Sequence, residues 1–446
     1  FNENTDVILT ADGAFSARFS EFCGGAQGSI RAPGAWKVYS VPLARMIESS
    51  GIGAQFYGID FGLALVADDS LAMTTSEHRF NLMSNIYKRY ATEYDIIYEY
   101  SKLELNLWGV KDPYTKGEGL SFGGHTHTVS KESTHVGVQI CQEQKSSVTQ
   151  NVNRRLAKTN ARVWQLMSKC WSTNRHVPVK VHRELIKTVV KPSLIAGLQA
   201  QTIPDGGLRP LEQFQDKMLR RSCSQRRRSS VVPLEMILQV APIKSDYHLS
   251  VLSLLYNIWV NPGSCSDLLK KVLEDKSLKD TYWPHNVSKI LDKYNLPGAD
   301  VILSCDPITE TCFKVLMRDK VLKHYMKISE GRLMRSNLYR FVYQGDYCFH
   351  SKNLHPIISG THTRRQALAM KLSIMHICME YPNGQNLARI SVRKDDLCTI
   401  CEDDGMSVID STEHNLFSCA CLTRDETAAR MRESIWRLLA RIKNTS

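Results

Sequence analysis

Asp68 and Asp69 stand side by side in the run Phe61-Gly-Leu-Ala-Leu-Val-Ala-Asp-Asp-Ser-Leu-Ala-Met73, with apolar residues on either side. Adjacent carboxylates at the tip of a hairpin offer hard oxygen ligands of the kind Mg²⁺ prefers in octahedral geometry. The same dipeptide is common at solvated turns, so the pair needs company before it signifies chemistry. A second cluster lies near the other end of the chain: Cys398-x₂-Cys401-x₁₂-His414-x₄-Cys419. A tight knuckle and a short helix at this spacing can bring two thiolates, an imidazole and a third thiolate onto one tetrahedral Zn²⁺. The binding energy would then fold a segment too small to hold a core of its own. Cys421 is a nearby alternative to Cys419.

Charge supplies a third feature. The 446 residues carry a net charge of +12, and the excess is concentrated. Between Lys145 and Arg228 there are 18 Lys and Arg against four acids, Glu184, Asp205, Glu212 and Asp216, a local surplus of 14. Such a stretch is the footprint expected of a surface that tracks phosphates, where counterion release drives affinity. A solvated helix face or an anionic membrane would suit the same composition. Arg154, Arg155, Lys158 and Arg162 cluster within it, and Arg220 and Arg221 close a later helical pattern. Arg226-Arg-Arg-Ser-Ser230 reads as a basic loop or as an import or phosphorylation patch.

Thirteen cysteines, most of them isolated, argue against a disulfide framework and for a reducing compartment. No apolar run approaches the ~20 residues of a membrane span. The longest candidate, Leu249 to Val260, is interrupted by Ser250, Ser253 and Asn257. No signal peptide is visible, and a chain opening on Phe1 reads as a fragment.

The elements that must position these groups follow from hydrophobic period. Tyr57 to Val66 and Ser70 to Thr74 read as strands flanking the acidic pair, and Phe80, Met83, Ile86, Tyr87 and Tyr90 predict an amphipathic helix from Glu77 to Tyr90. A Gly-, His- and Thr-rich loop, Lys116 to Ser130, leads to the apolar run His135 to Ile140; His125 and His127 in that loop lack a Cys or acid partner at ligand spacing. From Ser147 the pattern is helical, with Val148, Val152, Leu156, Val163 and Met167 on one face. A second helix spans Val179 to Val190 and ends near Pro192, and a third spans Leu208 to Arg221. Beyond residue 260, helical patterns are broken by Pro262, Pro284, Pro297, Pro307 and Pro356. The expected class is α+β: an antiparallel sheet with helices over 1–145, a basic helical segment over 146–260, a helical connector over 261–390, and a Cys/His knuckle with a basic C-terminal helix over 391–446.

About forty residues upstream of the acidic pair lies Phe22-Cys-Gly-Gly-Ala-Gln-Gly-Ser-Ile-Arg-Ala-Pro-Gly-Ala-Trp36. Together the two segments resemble adjacent motifs of the reverse transcriptases of non-LTR (LINE-type) retrotransposons. In that family a Gly-x-Pro-Gln-Gly-Ser turn lies near template and incoming nucleotide, and an aromatic-Ala-Asp-Asp hairpin carries catalytic metal. Leu211-Glu-Gln-Phe-Gln-Asp-Lys-Met-Leu-Arg-Arg221 and Ser230 to Ile243 are similar to later segments of the same proteins, as is Ser411-Thr-Glu-His-Asn-Leu-Phe-Ser-Cys419 at the end. The resemblance covers roughly residues 12 to 260 and resumes in the knuckle.

The resemblance implies a partial palm, a thumb and a zinc knuckle that performs RNA-directed DNA synthesis with two Mg²⁺ ions. In that setting Asp68 would bridge both ions, with Asp69 assisting or holding the hairpin. Gln27, Gly28 and Ser29 would lie against nucleotide and template, and Lys102 would stand near the triphosphate. The implied partners are an RNA template, a DNA primer or target, and nucleotides, with no membrane. Residues 424–441, which include Arg424, Arg430, Arg432, Arg437 and Arg441, would help the Zn²⁺ knuckle contact nucleic acid. The expected location is nuclear or cytoplasmic, not secreted. Val66, Ala26 and Arg31 depart from the family pattern. The family also needs an aspartate in a Phe-Asp strand upstream of the Gln-Gly turn; Asp6 and Asp12 precede Gln27 without that setting. These 446 residues alone are therefore expected to lack competent polymerase chemistry. The alternative is a non-catalytic nucleic-acid-binding remnant using the basic helices and the knuckle.

Overall fold

A computed structural model describes residues 5–7, 10–11, 14–15, 19–21, 32–66, 69–108, 119–141, 144–169, 177–225, 227, 229–275, 277–278, 282–334 and the positions 349, 354, 356–359, 374, 397 and 407. The described residues combine helices with short two-stranded sheets, antiparallel except for one parallel pair, an α+β arrangement. The chain divides into two compact units, Phe1–Ser147 with Pro262–Lys271, and Val148–Asn261 with Val272–Ser446. No helix among the described residues is long and apolar enough to cross a membrane.

In the first unit, β1 (Thr5–Val7) pairs with β4 (Phe19–Glu21), and β2 (Thr10–Ala11) pairs with β3 (Ala14–Phe15). Helix α1 (Ala32–Ser50) follows and carries Pro42 within it. Two hairpins come next, β5 (Ala54–Phe56) with β6 (Ile59–Phe61), and β7 (Leu63–Val66) with β8 (Asp69–Ala72). Helix α2 (Glu77–Glu93) starts where the Ser76 side chain accepts from the Arg79 N–H, with Glu77 favourably placed in the first turn. Its apolar spacing does what the sequence predicts. Met83, Tyr87 and Tyr90 are buried with Leu43 and Ile47 of α1, Ile52, and Phe122, and Phe80 and Ile86 pack at the margin.

Two stretches differ from the sequence expectation. The run Tyr57 to Val66 is divided, because the chain reverses at Tyr57 and Gly58, both at positive φ, and breaks again at Gly62. Gly62 lies against Gly53 so closely that a Cβ on Gly53 would come 2.6 Å from the Gly62 Cα, which ties the two hairpins together. Ala54 N–H donates to the Met73 carbonyl and Met73 N–H to the Gly62 carbonyl across the same seam. The stretch expected as a loop, Lys116 to Ser130, contains a hairpin of β10 (Leu120–Phe122) and β11 (His125–His127). Its glycine-rich composition is the turn itself, since Gly123 and Gly124 both take positive φ, as a two-residue reversal requires. The Gly123 N–H donates to Ser84 Oγ and pins this hairpin to α2. The parallel pair joins β9 (Leu105–Asn106) to β12 (Val129–Ser130). The apolar run at His135 is likewise a hairpin, of β13 (Glu132–His135) and β14 (Val138–Cys141), reversing at Val136 and Gly137.

Helix α3 (Gln144–Lys169) runs across the division into the second unit, whose core is helical. The segment expected to stop near Pro192 continues instead. Helix α4 (Val179–Leu185) widens into a π turn, Ile186–Val190, and α5 (Lys191–Ile195) follows with the proline in its first turn. The Lys191 N–H still bonds back to the Ile186 carbonyl in the π pattern, and Pro192, which has no N–H to give, follows it. Helices α6 (Arg209–Ser222), α7 (Val232–Leu238) and α8 (Ile243–Val260) complete the segment. Helix α9 (Ser264–Glu274) spans the boundary after Lys271, and α10 (Trp283–Lys293), α11 (Ala299–Ser304) and α12 (Glu310–Met334) follow. Val287 and Leu291 of α10 and Val321 and Leu322 of α12 belong to one core with Leu211, Leu219, Ile237, Val251 and Leu252. The helices on either side of residue 260 therefore bury a common apolar interior.

That interior encloses charge. Arg183 Nε donates to the Leu238 carbonyl at 2.8 Å, and Lys191 Nζ donates to the Ala241 carbonyl and pairs with Asp246, both at 2.5 Å. Gln215 Nε2 also donates to the Ala241 carbonyl, so the chain leaving α7, with Gln239 at φ 51°, is held by three side chains. Glu235 on α7 is buried too, and desolvation, reinforced by Asp216, pushes its carboxyl up to about 8.

Candidate active-site hairpin and basic helix

The β7–β8 register pairs Leu63 with Ala72, Ala64 with Leu71, Leu65 with Ser70 and Val66 with Asp69. The register closes on Val66 opposite Asp69, so Asp69 opens the returning strand. Side chains alternate across a strand, so Leu63, Leu65, Ser70 and Ala72 share one face and Ala64, Val66, Asp69 and Leu71 the other. Leu63 packs into the α1–α2 core, and the buried Tyr87 phenol, raised by desolvation, lies beside Ser70. The face carrying Asp69 therefore points away from α2, and both Val66 and Asp69 are exposed. Asp68 lies outside the described residues, as do Gln27, Gly28 and Ser29.

A two-ion magnesium site would need further ligands beside this hairpin. Among the described residues, no three His, Cys, Asp or Glu side chains are grouped so as to hold a metal ion. Asp6 lies on β1, whose partner is β4, in a sheet separate from β7–β8. The described groups thus do not complete a two-ion set around Asp69, and they support no chemical step through magnesium. Cys398, Cys401, His414 and Cys419 all lie outside the described residues, so the zinc expectation has no geometry to report.

Lys102 ends a short 3₁₀ turn, Tyr100–Lys102. It is exposed and pairs with Glu99 at 2.5 Å. The Glu99 hydrogen bond and charge raise the lysine, and Lys102 correspondingly lowers Glu99. Its charge is already matched locally, which weakens the case for a lysine reserved for a triphosphate. His125 stacks on Tyr100 with ring centroids 5.0 Å apart. That stacking gives this histidine a packing role.

The basic segment resolves into two kinds of cation. On α3, Arg154, Arg155, Lys158 and Arg162 crowd one another. Partial desolvation first, and then the three guanidiniums, hold the Lys158 ammonium below the usual lysine range; desolvation and the charges of Arg154 and Arg162 do the same for Arg155. Arg162 also donates to Ser193 Oγ at 3.2 Å. A group of like charges on one helix raises the local positive potential, which attracts a polyanion. Arg183 and Lys191 are of the second kind, with side chains 8% and 6% exposed and committed to the α7 exit and to Glu184 and Asp246. Lys187 is lowered by desolvation, with Arg183 adding to the effect. The outward surplus is accordingly smaller than the sequence count, and nothing in the local pattern of Arg183 or Lys191 separates them from surface cations.

Arg220 and Arg221 end α6, where cations suit the helix dipole. Arg221 is exposed, while Arg220 Nε donates to the Ser229 carbonyl at 2.8 Å and its guanidinium approaches Asp216 at 4.0 Å. Arg220 thus braces the α6–α7 loop, and Arg221 is the freer of the two to meet a ligand. Comparison with protein-family models and with curated proteins finds no match to this chain.

Proposed function

We propose that this chain is part of a reverse transcriptase of the LINE-type retrotransposon kind, contributing the acidic hairpin of the palm, a basic helical thumb and a zinc knuckle. The observation that carries the reading is the register of β7–β8. It sets Asp69 opposite Val66 at the start of the returning strand, on an exposed face, with α1 before the hairpin in sequence and α2 after it. An exposed carboxylate on a hairpin beside the α1–α2 core supports the reading, as the quoted motifs place their acids on a hairpin. The positive charge gathered on α3 supports an RNA template and DNA primer or target as the bound species, because neutralising phosphodiesters releases their counterions.

Under this reading Asp68 and Asp69 are acidic ligands in template-directed nucleotidyl transfer, and Gln27, Gly28 and Ser29 are contacts to nucleotide and template. Asp69 alone does not complete an active site, so the activity is assigned to a protein that also contains the upstream Phe-Asp strand. The test is primer extension on an RNA template by a chain extended upstream of Phe1 to include that strand. Asp68→Ala should abolish extension while leaving template affinity within about twofold, since the change removes an acid and no phosphate contact. Extension at the parental rate would remove Asp68 from this role.

The second reading is a binding protein without polymerase chemistry. It is favoured by the α3 cluster, which stands in the other unit from the hairpin and needs no acidic pair. The same assay separates the two, because a binding protein retains salt-dependent RNA affinity and extends no primer even when the strand is supplied.

A further inference from the structure

The run Arg226-Arg-Arg-Ser-Ser230 offers two serines, each with arginines three and two residues before it. Arg226 and Arg227 precede Ser229 in this way, and Arg227 and Arg228 precede Ser230. Paired arginines at that distance suit protein kinases whose substrate clefts are lined with carboxylates, since such enzymes choose substrates by charge pattern. The sequence cannot tell the two hydroxyls apart. The structure can. Ser229 is 1% exposed, its Oγ is buried, and its carbonyl is held by Arg220 Nε at 2.8 Å. Ser230, one residue on, is exposed in the connection between α6 and α7, as is Arg227.

We infer that Ser230 is a phosphorylation site for an arginine-directed protein kinase and that its neighbour Ser229 is closed to one. In the transfer, Ser230 Oγ attacks the γ-phosphorus of ATP. A new O–P bond forms as the bond to the ADP oxygen breaks, and the serine proton passes to the kinase's base. The product adds nearly two negative charges one residue from the Ser229 carbonyl that Arg220 holds. The added negative charge offsets part of the segment's positive charge and so lowers its affinity for nucleic-acid phosphates. This second consequence rests on the nucleic-acid reading above; the modification itself does not.

The experiment incubates the purified 446-residue chain with ATP and the catalytic subunit of cAMP-dependent protein kinase, then maps phosphate by tandem mass spectrometry. Phosphate should appear on Ser230 in the parent and in Ser229→Ala, and should be lost from this loop in Ser230→Ala. Phosphate on Ser229, or an unmodified loop under conditions that modify a free peptide of residues 224–234, overturns the assignment. Ser229 tolerates alanine because its buried hydroxyl has no hydrogen-bond partner, and a circular dichroism spectrum and thermal midpoint equal to the parent's check that Ser230→Ala is folded. The phosphorylated and unmodified proteins are then titrated with a fluorescent oligouridylate across a salt series. Phosphorylation should weaken binding roughly three- to tenfold near 0.1 M salt and reduce the salt slope by about one. Binding that is measurable but indifferent to the phosphate overturns the electrostatic consequence alone. A parent that never binds the oligonucleotide overturns the nucleic-acid reading and leaves the mapped phosphate standing.

Discussion

Replacing Glu235 with glutamine should remove a pH dependence from the stability of the second unit. The carboxyl is buried on α7, and desolvation followed by the charge of Asp216 raises it from 4.5 to about 8. Between those values the folded protein keeps a proton that the unfolded chain has released, so folding takes up a proton. Stability is then highest below about pH 4.5, falls as pH rises, and levels off above about pH 8. Each pH step of one across that interval is worth about 1.4 kcal/mol. Raising the pH from 4.5 to 7 crosses about 2.5 such steps, a loss of about 3 kcal/mol, which is a substantial part of the ~5–15 kcal/mol that holds a domain together. Glutamine has nearly the same shape and no proton to lose. Glu235→Gln should therefore match the parent near pH 5 and exceed it by about 3 kcal/mol at pH 7, which moves a urea midpoint by about 1 M at a typical slope of ~2–3 kcal/mol per molar. Urea unfolding followed by far-ultraviolet circular dichroism from pH 5 to 9 measures this. Parallel curves for parent and variant would mean that Glu235 is ionised in the folded protein and that burial does not govern its proton.

In the first unit, Gly53→Ala should cost about 1–3 kcal/mol and lower the thermal midpoint, because its Cβ would meet the backbone of Gly62 at 2.6 Å, where nothing flexible can yield. For the basic helix, Arg154→Gln, Arg155→Gln and Lys158→Gln combined should weaken RNA binding and lower the salt slope by about one for each phosphate no longer neutralised, and an unchanged slope would take α3 out of the interface. At the C-terminal cluster, Cys398→Ser with Cys401→Ser should reduce bound zinc by about one equivalent, read by elemental analysis, with little change in the helical signal of residues 148–334.

Local chemistry determines a good part of this protein. The period of Phe80, Met83, Tyr87 and Tyr90 is enough to specify α2, and the apolar stripe beginning at Val148 is enough to specify α3, because burial of one face is a property of spacing. A hairpin around the acidic pair is also readable from the apolar runs that flank it, although Asp69 belongs to the returning strand and not to the tip. The glycine-rich stretch around Gly123 reads wrongly as a loop because the same residues that mark a loop also make the tightest hairpin, and only the partner strand distinguishes the two. Pro192 reads wrongly as a stop because a widened turn upstream lets the helical path continue through a residue that normally ends it.

What the sequence by itself determined is the amphipathic faces of helices such as α2 and α3 and the concentration of positive charge between residues 145 and 228. Only the tertiary structure decided which of those cations face inward. Arg183 and Lys191 are spent on carbonyls some fifty residues away along the chain, while Arg154 and Lys158 crowd together on one helix. It likewise decided that Ser230 is open and Ser229 closed, and that Glu235 keeps its proton. The physical reason is the same in each case: solvation and pairing depend on neighbours brought together by folding, and linear spacing carries no record of them.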